Sequence, residues 1–205
     1  MTQASALAEL LRPVISDERV LGAIASVPRD RFVPASELGR AYENVALPIA
    51  CGQTISQPLV VARMLELLEL RDDDRVLDVG TGSGYHAALL ARLAGEVWTI
   101  ERHPTLSAGA ERAIRGLGID NVHFAVGDGA AGLPEHAPYD AINVAAAAGS
   151  SVPAALEEQL GPGGRLVAPV GLEGQRLTLI RRRASGLEAT TLEPVRFVPL
   201  ITGRE

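Results

Sequence analysis

The stretch Arg75-Val76-Leu77-Asp78-Val79-Gly80-Thr81-Gly82-Ser83-Gly84-Tyr85-His86-Ala87-Ala88-Leu89 decides the fold. A β-rich apolar run empties into a glycine turn, and a helical pattern begins at once. Glycines there allow a ligand close to the backbone, and the first turn of the next helix carries N–H groups without intrahelical partners. The same alternation continues outward. Strands are predicted at Arg75–Val79, Val97–Ile100, Val122–Val126, Ala141–Ala145 and Arg165–Val170, with helices at Tyr85–Leu93, Leu106–Gly116 and Pro153–Leu160 between them. Pro153 suits the first helical turn, and Gly161-Pro162-Gly163-Gly164 reads as a stop and a turn. Short parallel strands joined by crossover helices make an α/β, Rossmann-like, doubly wound and mostly parallel sheet, in which ligands bind at the carboxyl ends of the strands.

Residues 1–70 form an N-terminal helical cap, with helices at Asp17–Val27 and Pro58–Leu70 and an irregular proline-containing stretch between them. Residues 71–170 are the core. Residues 171–205 add two strands, Arg176–Arg182 and Ala189–Val198, around a polar turn at Ala184-Ser185-Gly186. The chain of 205 residues reads as one domain, with 47% apolar and 21% charged residues, and no apolar run reaches the roughly 18 residues of a membrane span. Its 25 acidic and 19 basic residues give a net charge of −6, which argues against a nucleic-acid partner. The basic run Arg181-Arg182-Arg183 reads as a solvated strand end. All basic residues are arginines, so Schiff-base, pyridoxal-phosphate and P-loop lysine chemistry are excluded. One cysteine, Cys51, makes neither an internal disulfide nor a thiolate metal cluster. A cytoplasmic monomer without metal is expected.

Three consecutive strands end in acids: Asp78, Glu101 and Asp128. Gly82 to Ala87 matches the dinucleotide pattern G-x-G-x-x-A, which leaves a dinucleotide-dependent oxidoreductase open. Asp78 weighs against it, because a pyrophosphate would pack against a carboxylate. S-adenosylmethionine carries an ammonium and a sulfonium and no phosphate, so three converging carboxylates suit it better. Glu101 stands where an acid binds ribose hydroxyls, and Asp128 is placed to accept from an exocyclic adenine amine. Each acid also has a plainer reading: Asp78 as a partner for the turn's backbone, Asp128 as ordinary turn chemistry between Gly127 and Gly129. His86 and His103 stand alone in sequence and read as structural or surface groups.

A further set of segments narrows this. The run Ala46 to Pro58, with Thr54-Ile55-Ser56-Gln57-Pro58 as its specific part, resembles the protein-L-isoaspartate O-methyltransferases. So do Asp78 to Tyr85, Gly127-Asp128-Gly129, Gln159-Leu160, Gly163 to Val167, Arg196-Phe197-Val198-Pro199-Leu200 and, near the start, Val27-Pro28-Arg29 and Arg31-Phe32-Val33. The resemblance covers nearly the whole chain and implies a class I methyltransferase fold. From the residues alone, Ser56 or Gln57 reads as the cap of a helix that Pro58 starts. The resemblance instead implies that Ser56 is the catalytic residue beside the transferable methyl group and that Thr54 lines the pocket. It also implies that S-adenosylmethionine is held by Thr54, Ile55, Ser56, Gln57, Asp78, Gly80, Thr81, Gly82, Ser83, Gly84, Glu101, Asp128 and Gly129. The implied substrate is the α-carboxyl of an L-isoaspartyl residue in a damaged protein or peptide; aspartate of a dedicated peptide, or a small carboxylic acid, is the alternative acceptor. A carboxylate is ionised at pH 7, so no general base is needed. Two positions depart from the family pattern: Ala50 replaces a usual glycine, and Ala145 a usual threonine.

Overall fold

The computed structural model describes residues 1–203. Its elements are α1 (Gln3–Leu11), α2 (Glu18–Ser26), β1 (Leu47–Pro48), β2 (Thr54–Ile55), α3 (Pro58–Leu68), β3 (Arg75–Val79), α4 (Tyr85–Leu90), β4 (Glu96–Glu101), α5 (Pro104–Arg115), β5 (Val122–Val126), β6 (Tyr139–Val144), α6 (Ala154–Glu158), β7 (Leu160–Val170), β8 (Arg176–Arg183) and β9 (Gly186–Pro194). Seven strands form one sheet in the order β5-β4-β3-β6-β7-β8-β9. Those from β5 to β7 are parallel, and β8 and β9 are antiparallel additions at one edge. Chain order reverses beside β3, where the next neighbour is β6. A doubly wound sheet opens its ligand crevice at such a switch point. Among the described residues no helix is long and apolar enough to cross a membrane.

Each face of the sheet carries its own apolar layer. On one side Leu7, Ile24, Met64, Leu65 and Leu68 of the N-terminal helices pack with Leu89 and Val97; on the other, Leu77, Ile142, Leu156 and Leu166 pack around α6. Helix α2 starts where expected because Asp17 accepts from the N–H groups of Arg19 and Val20.

Several expected boundaries shift for local reasons. Strand β7 begins at Leu160 and runs through the glycine-proline cluster, because pairing with β6 exists on both sides of it. Leu160 faces Tyr139 and Arg165 faces Ala141, so the cluster bulges out of a continuing strand. Helix α4 stops at Leu90, and Arg92 and Leu93 donate to Leu89 and Leu90 in tight turns. Strand β6 starts at Tyr139 and ends before Ala145. Pro153 precedes α6 as its cap. Strand β9 begins three residues earlier than expected and ends at Pro194, which frees residues 195–203 to cross over the site. The arginine run is engaged within the chain: Arg181 pairs with Glu69, Arg182 donates to the Glu157 carbonyl and Arg183 pairs with Glu188.

Arg165, 7% exposed, locks α3 to the sheet. Its guanidinium donates to the carbonyls of Leu68, Glu69 and Asp140 and pairs with buried Asp74 at 2.7 Å. Removing one member of a buried pair strands the other charge. We expect Arg165→Met to lower unfolding free energy by about 3–5 kcal/mol, read as a shifted urea midpoint; a shift below about 1 kcal/mol would show that water screens the pair.

Candidate active site

Gly80 and Gly84 fold the turn after β3. Gly80 adopts φ +93° and lines the crevice, while Gly84 adopts φ +90° and a Cβ there would meet the Ala110 Cβ at 2.8 Å. Only glycine serves at Gly84, where α4 crosses α5. Asp78 does not reach the crevice. It is fully buried, its Oδ2 accepting from Thr99 Oγ1 at 2.9 Å and its Oδ1 from Asn143 Nδ2 at 2.7 Å. Burial pushes its carboxyl up to about 6, with Glu101 adding to the rise and the Asn143 and Thr99 hydrogen bonds opposing it. The expectation that Asp78 faces a cationic ligand is corrected: it is a clamp joining β3, β4 and β6. The network extends to Thr81, whose hydroxyl lies 2.6 Å from that of Thr99, and to His86, whose Nδ1 lies 3.3 Å from Asn143 Nδ2.

Glu101 does reach the crevice. Its Oε2 accepts from the Gly82 N–H at 2.9 Å and its Oε1 from the His103 N–H at 3.0 Å. A carboxylate has about four lone-pair sites, so capacity remains for ligand hydroxyls. Asp128, half-buried after β5, accepts from the N–H groups of Ala130 and Gly203 through its two oxygens and, like Glu101, keeps acceptor capacity. Of the three acids, Glu101 lines the crevice, Asp78 is buried among β3, β4 and β6, and Asp128 stands half-buried at the end of β5. A cavity of about 610 Å³ lies between Val79, Gly80, Gly82, Glu101 and Gly129 on one side and residues Val198 to Ile201 on the other. Gly129 is close to its limit there, since a Cβ would stand 2.6 Å from Val79 Cγ1.

The Ser56 loop forms the opposite wall. Strands β1 and β2 pair as a small hairpin that buries Ile55 and turns Thr54 outward. Thr54 borders the 610 Å³ cavity, a smaller inner one, and an outer groove; Ser56 borders the last two, and Gln57 the groove alone. Thr81 and Ser83 line the inner cavity. Neither Ser56 nor Gln57 caps α3 through its side chain: the Leu59 N–H is taken by Asn44 Oδ1 at 2.9 Å. This leaves the Ser56 hydroxyl uncommitted within the protein. Sequence reasoning missed Asn44, which lies 15 residues from its partner. It also gave Arg29 no role. Arg29 is fully buried and donates to the carbonyls of Ala41 at 2.6 Å, Val45 at 3.0 Å and Ser56 at 3.1 Å.

A mostly parallel sheet with a glycine turn after its central strand, an acid after the next and the antiparallel pair β8 and β9 at one edge matches the class I methyltransferase fold. Comparison with known proteins narrows the class. The family model described as Protein-L-isoaspartate(D-aspartate) O-methyltransferase (PCMT) matches residues 2–205. A protein-L-isoaspartate O-methyltransferase from Roseiflexus castenholzii is 54% identical over 195 residues, spanning 95% of this chain and 89% of its own. One from Anaeromyxobacter dehalogenans is 56% identical over 190 residues, spanning 91% and 90%. Among solved structures, a protein-L-isoaspartate O-methyltransferase superposes with TM-score 0.87 and 31% identity, over 95% of this chain and 64% of that longer one. A Plasmodium falciparum chain of the same description, in complex with S-adenosyl-L-homocysteine, gives 0.86 and 27%, over 99% and 100%. The chain belongs to the PCMT family.

The family's methyl donor is S-adenosylmethionine, and the residues present fit it. The glycine cradle, the Glu101 carboxylate on the wall and an unpartnered buried nitrogen of His86 supply a close backbone approach, an acceptor and a donor.

Two predictions follow from the buried groups. Burial holds the His86 imidazole down to about 3, against 6.5 for a free histidine. Between those values the unfolded chain binds a proton that the folded chain does not, so acidification destabilises by about 1.4 kcal/mol per pH unit. Asp78 acts oppositely between 3.8 and about 6, where its folded carboxyl holds a proton that the unfolded chain releases. His86→Gln removes only the first effect, so urea titrations should find the parent losing about 2 kcal/mol relative to this variant between pH 6.5 and pH 5; a constant difference would mean that His86 protonates freely in the fold. Arg29→Lys supplies one compact ammonium where a planar fork served three carbonyls. It should cost about 3 kcal/mol of stability and at least tenfold in methyl transfer; unchanged activity would release the Ser56 loop from Arg29 control.

Proposed function

We propose that this chain is a protein repair methyltransferase that moves a methyl group from S-adenosylmethionine to the α-carboxylate of L-isoaspartyl residues in damaged proteins and peptides. The carrying observation is that Ser56, its hydroxyl uncommitted, borders both the inner cavity beside the glycine turn and the outer groove. S-adenosylmethionine supplies an electrophilic methyl carbon on a sulfonium. The protein's part is alignment, which in-line displacement needs above all. Gly80, Thr81, Gly82, Ser83, Gly84, Glu101 and Gly129 form the donor side, with Thr54, Ile55 and Gln57 contributing the wall or its support. Asp78 acts at one remove, by fixing the strand ends. Asp128 is placed to accept from the exocyclic adenine amine of the donor. Ser56 directs the acceptor carboxylate as a hydrogen-bond donor.

The outer groove supports a peptide acceptor. It is an open space of about 1540 Å³, bulk solvent at its mouth included, between Ala46, Thr54, Ser56 and Gln57 on one bank and residues Pro194 to Pro199 on the other. Arg196 is exposed there and, among the described residues, is the one charged group on its walls, which suits an anionic peptide segment. The exposed lone thiol of Cys51 supports a reducing, cytoplasmic setting. The three segments 1–70, 71–170 and 171–205 work as one domain, and one copy suffices because each bank of the site comes from the same chain.

Incubation with labelled methyl donor and paired isoaspartyl and aspartyl peptides tests the reading. Label should enter the isoaspartyl peptide alone. Equal labelling of both, or labelling of a small acid in preference, would move the assignment to a general carboxyl methyltransferase. Ser56→Ala should cut kcat/KM by about 100-fold while S-adenosylhomocysteine affinity changes less than about twofold; a fully active variant would remove Ser56 from the reaction.

A further inference from the structure

The inner cavity, about 330 Å³ with the solvent at its mouth included, is walled by Thr54, Ser56, Thr81, Ser83, Tyr85 and His86 among others. His86 reads in sequence as structural or surface; it is 6% exposed and belongs to this wall. Its Nδ1 lies 3.3 Å from Asn143 Nδ2, which also donates to Asp78 Oδ1 at 2.7 Å. An amide NH₂ only donates, so the hydrogen-bond network makes Nδ1 the acceptor and puts the ring proton on Nε2. That Nε2 has no partner within the protein. A buried donor without a partner is costly, and since His86 belongs to the wall of the inner cavity, the partner is to be sought in a group entering there. Asn143 stands between the Asp78 carboxylate and the imidazole, so the ring can present a donor without a facing negative charge.

We infer that His86 is a binding residue whose neutral Nε2–H donates to a carboxylate in the inner cavity, oriented for that purpose by the Asp78–Asn143 pair. This rests on the methyltransferase reading, because both ligands of that reaction carry carboxylates: the amino-acid end of the methyl donor and the isoaspartyl acceptor. A neutral donor suits either one. It fixes the oxygen's direction without the full positive charge that would blunt a nucleophilic carboxylate.

The test uses the intact chain labelled with ¹⁵N-histidine, observed in the free state, with S-adenosylhomocysteine, with 5′-methylthioadenosine (which lacks the amino-acid end), and with S-adenosylhomocysteine plus an isoaspartyl peptide. The free protein should show His86 as the Nε2–H tautomer. A downfield move of the Nε2–H signal with S-adenosylhomocysteine and not with methylthioadenosine assigns the donor's carboxylate. A move only when the peptide is added assigns the acceptor's. Calorimetry supplies an independent arm: His86→Leu should weaken whichever ligand moved the signal by roughly tenfold, and His86→Gln, which keeps an N–H donor, should restore most of the loss. An Nδ1–H tautomer, or an Nε2–H signal indifferent to every ligand while S-adenosylhomocysteine binds, overturns the inference alone. Failure of the parent protein to bind S-adenosylhomocysteine takes down the functional reading and this inference together.

Discussion

Ser56 stands where it does because a buried guanidinium holds its carbonyl. Arg29 has no carboxylate in contact; it spends its donors on three backbone carbonyls from separate parts of the cap and lies 5.8 Å from the centre of the Tyr85 ring. Taking that charge out of water is unfavourable, and burial holds the group's pKa below its usual value. The arrangement persists because the carbonyls would otherwise be unpaired as well. Neutral acceptors take up its two terminal nitrogens, while the buried Nε has no partner among the described residues, and no carboxylate is brought beside Ser56. Asn44 fixes the same loop from the other end by taking the Leu59 N–H. Freed from capping, the Ser56 hydroxyl is available to a ligand.

The acids at the strand ends share one origin and divide into three tasks. Asp78 stitches the middle of the sheet, and burial draws its ionisation close to neutrality. Glu101 holds the Gly82 N–H and so sets the shape of the turn it faces. Asp128 anchors the terminal run through the Gly203 N–H. Of the three, Glu101 is the one that lines the cavity beside the glycine cradle.

Parallel strands and crossover helices were legible because β3, β5 and the glycine turn obey local rules of composition and spacing. The family was legible because Thr54 to Pro58 is a specific run. What escaped was the direction of side chains. Asp78 follows the alternation of a strand whose both faces are covered, so it lies on a buried face, and nothing in its sequence neighbours reveals that Thr99 and Asn143 stand opposite it on the adjacent strands. Arg29 and Asn44 act across 27 and 15 residues through partners that are backbone atoms and leave no pattern. His86 looked isolated for the same reason: its orienting partner lies 57 residues away. The glycine-proline cluster in β7 gave its turn correctly, yet pairing on both sides depends on a β6 that no local rule places.

The last residues link the compartments. After β9, Val195 and Phe197 donate to the backbone and side chain of Gln175, and the chain then meets Ala147 through hydrogen bonds to Val198 and from Leu200. Arg102 reaches the Ile201 carbonyl, and Asp128 takes the Gly203 N–H. Val198 and Pro199 consequently line both the 610 Å³ cavity and the outer groove, as Thr54 does from the opposite bank. Donor and acceptor compartments with two walls in common cannot be shaped independently. If the proposed donor and acceptor occupy these spaces, a change at Thr54 or Val198 would alter the angle between the reacting groups as well as the space for either, and in-line displacement is most sensitive to that angle.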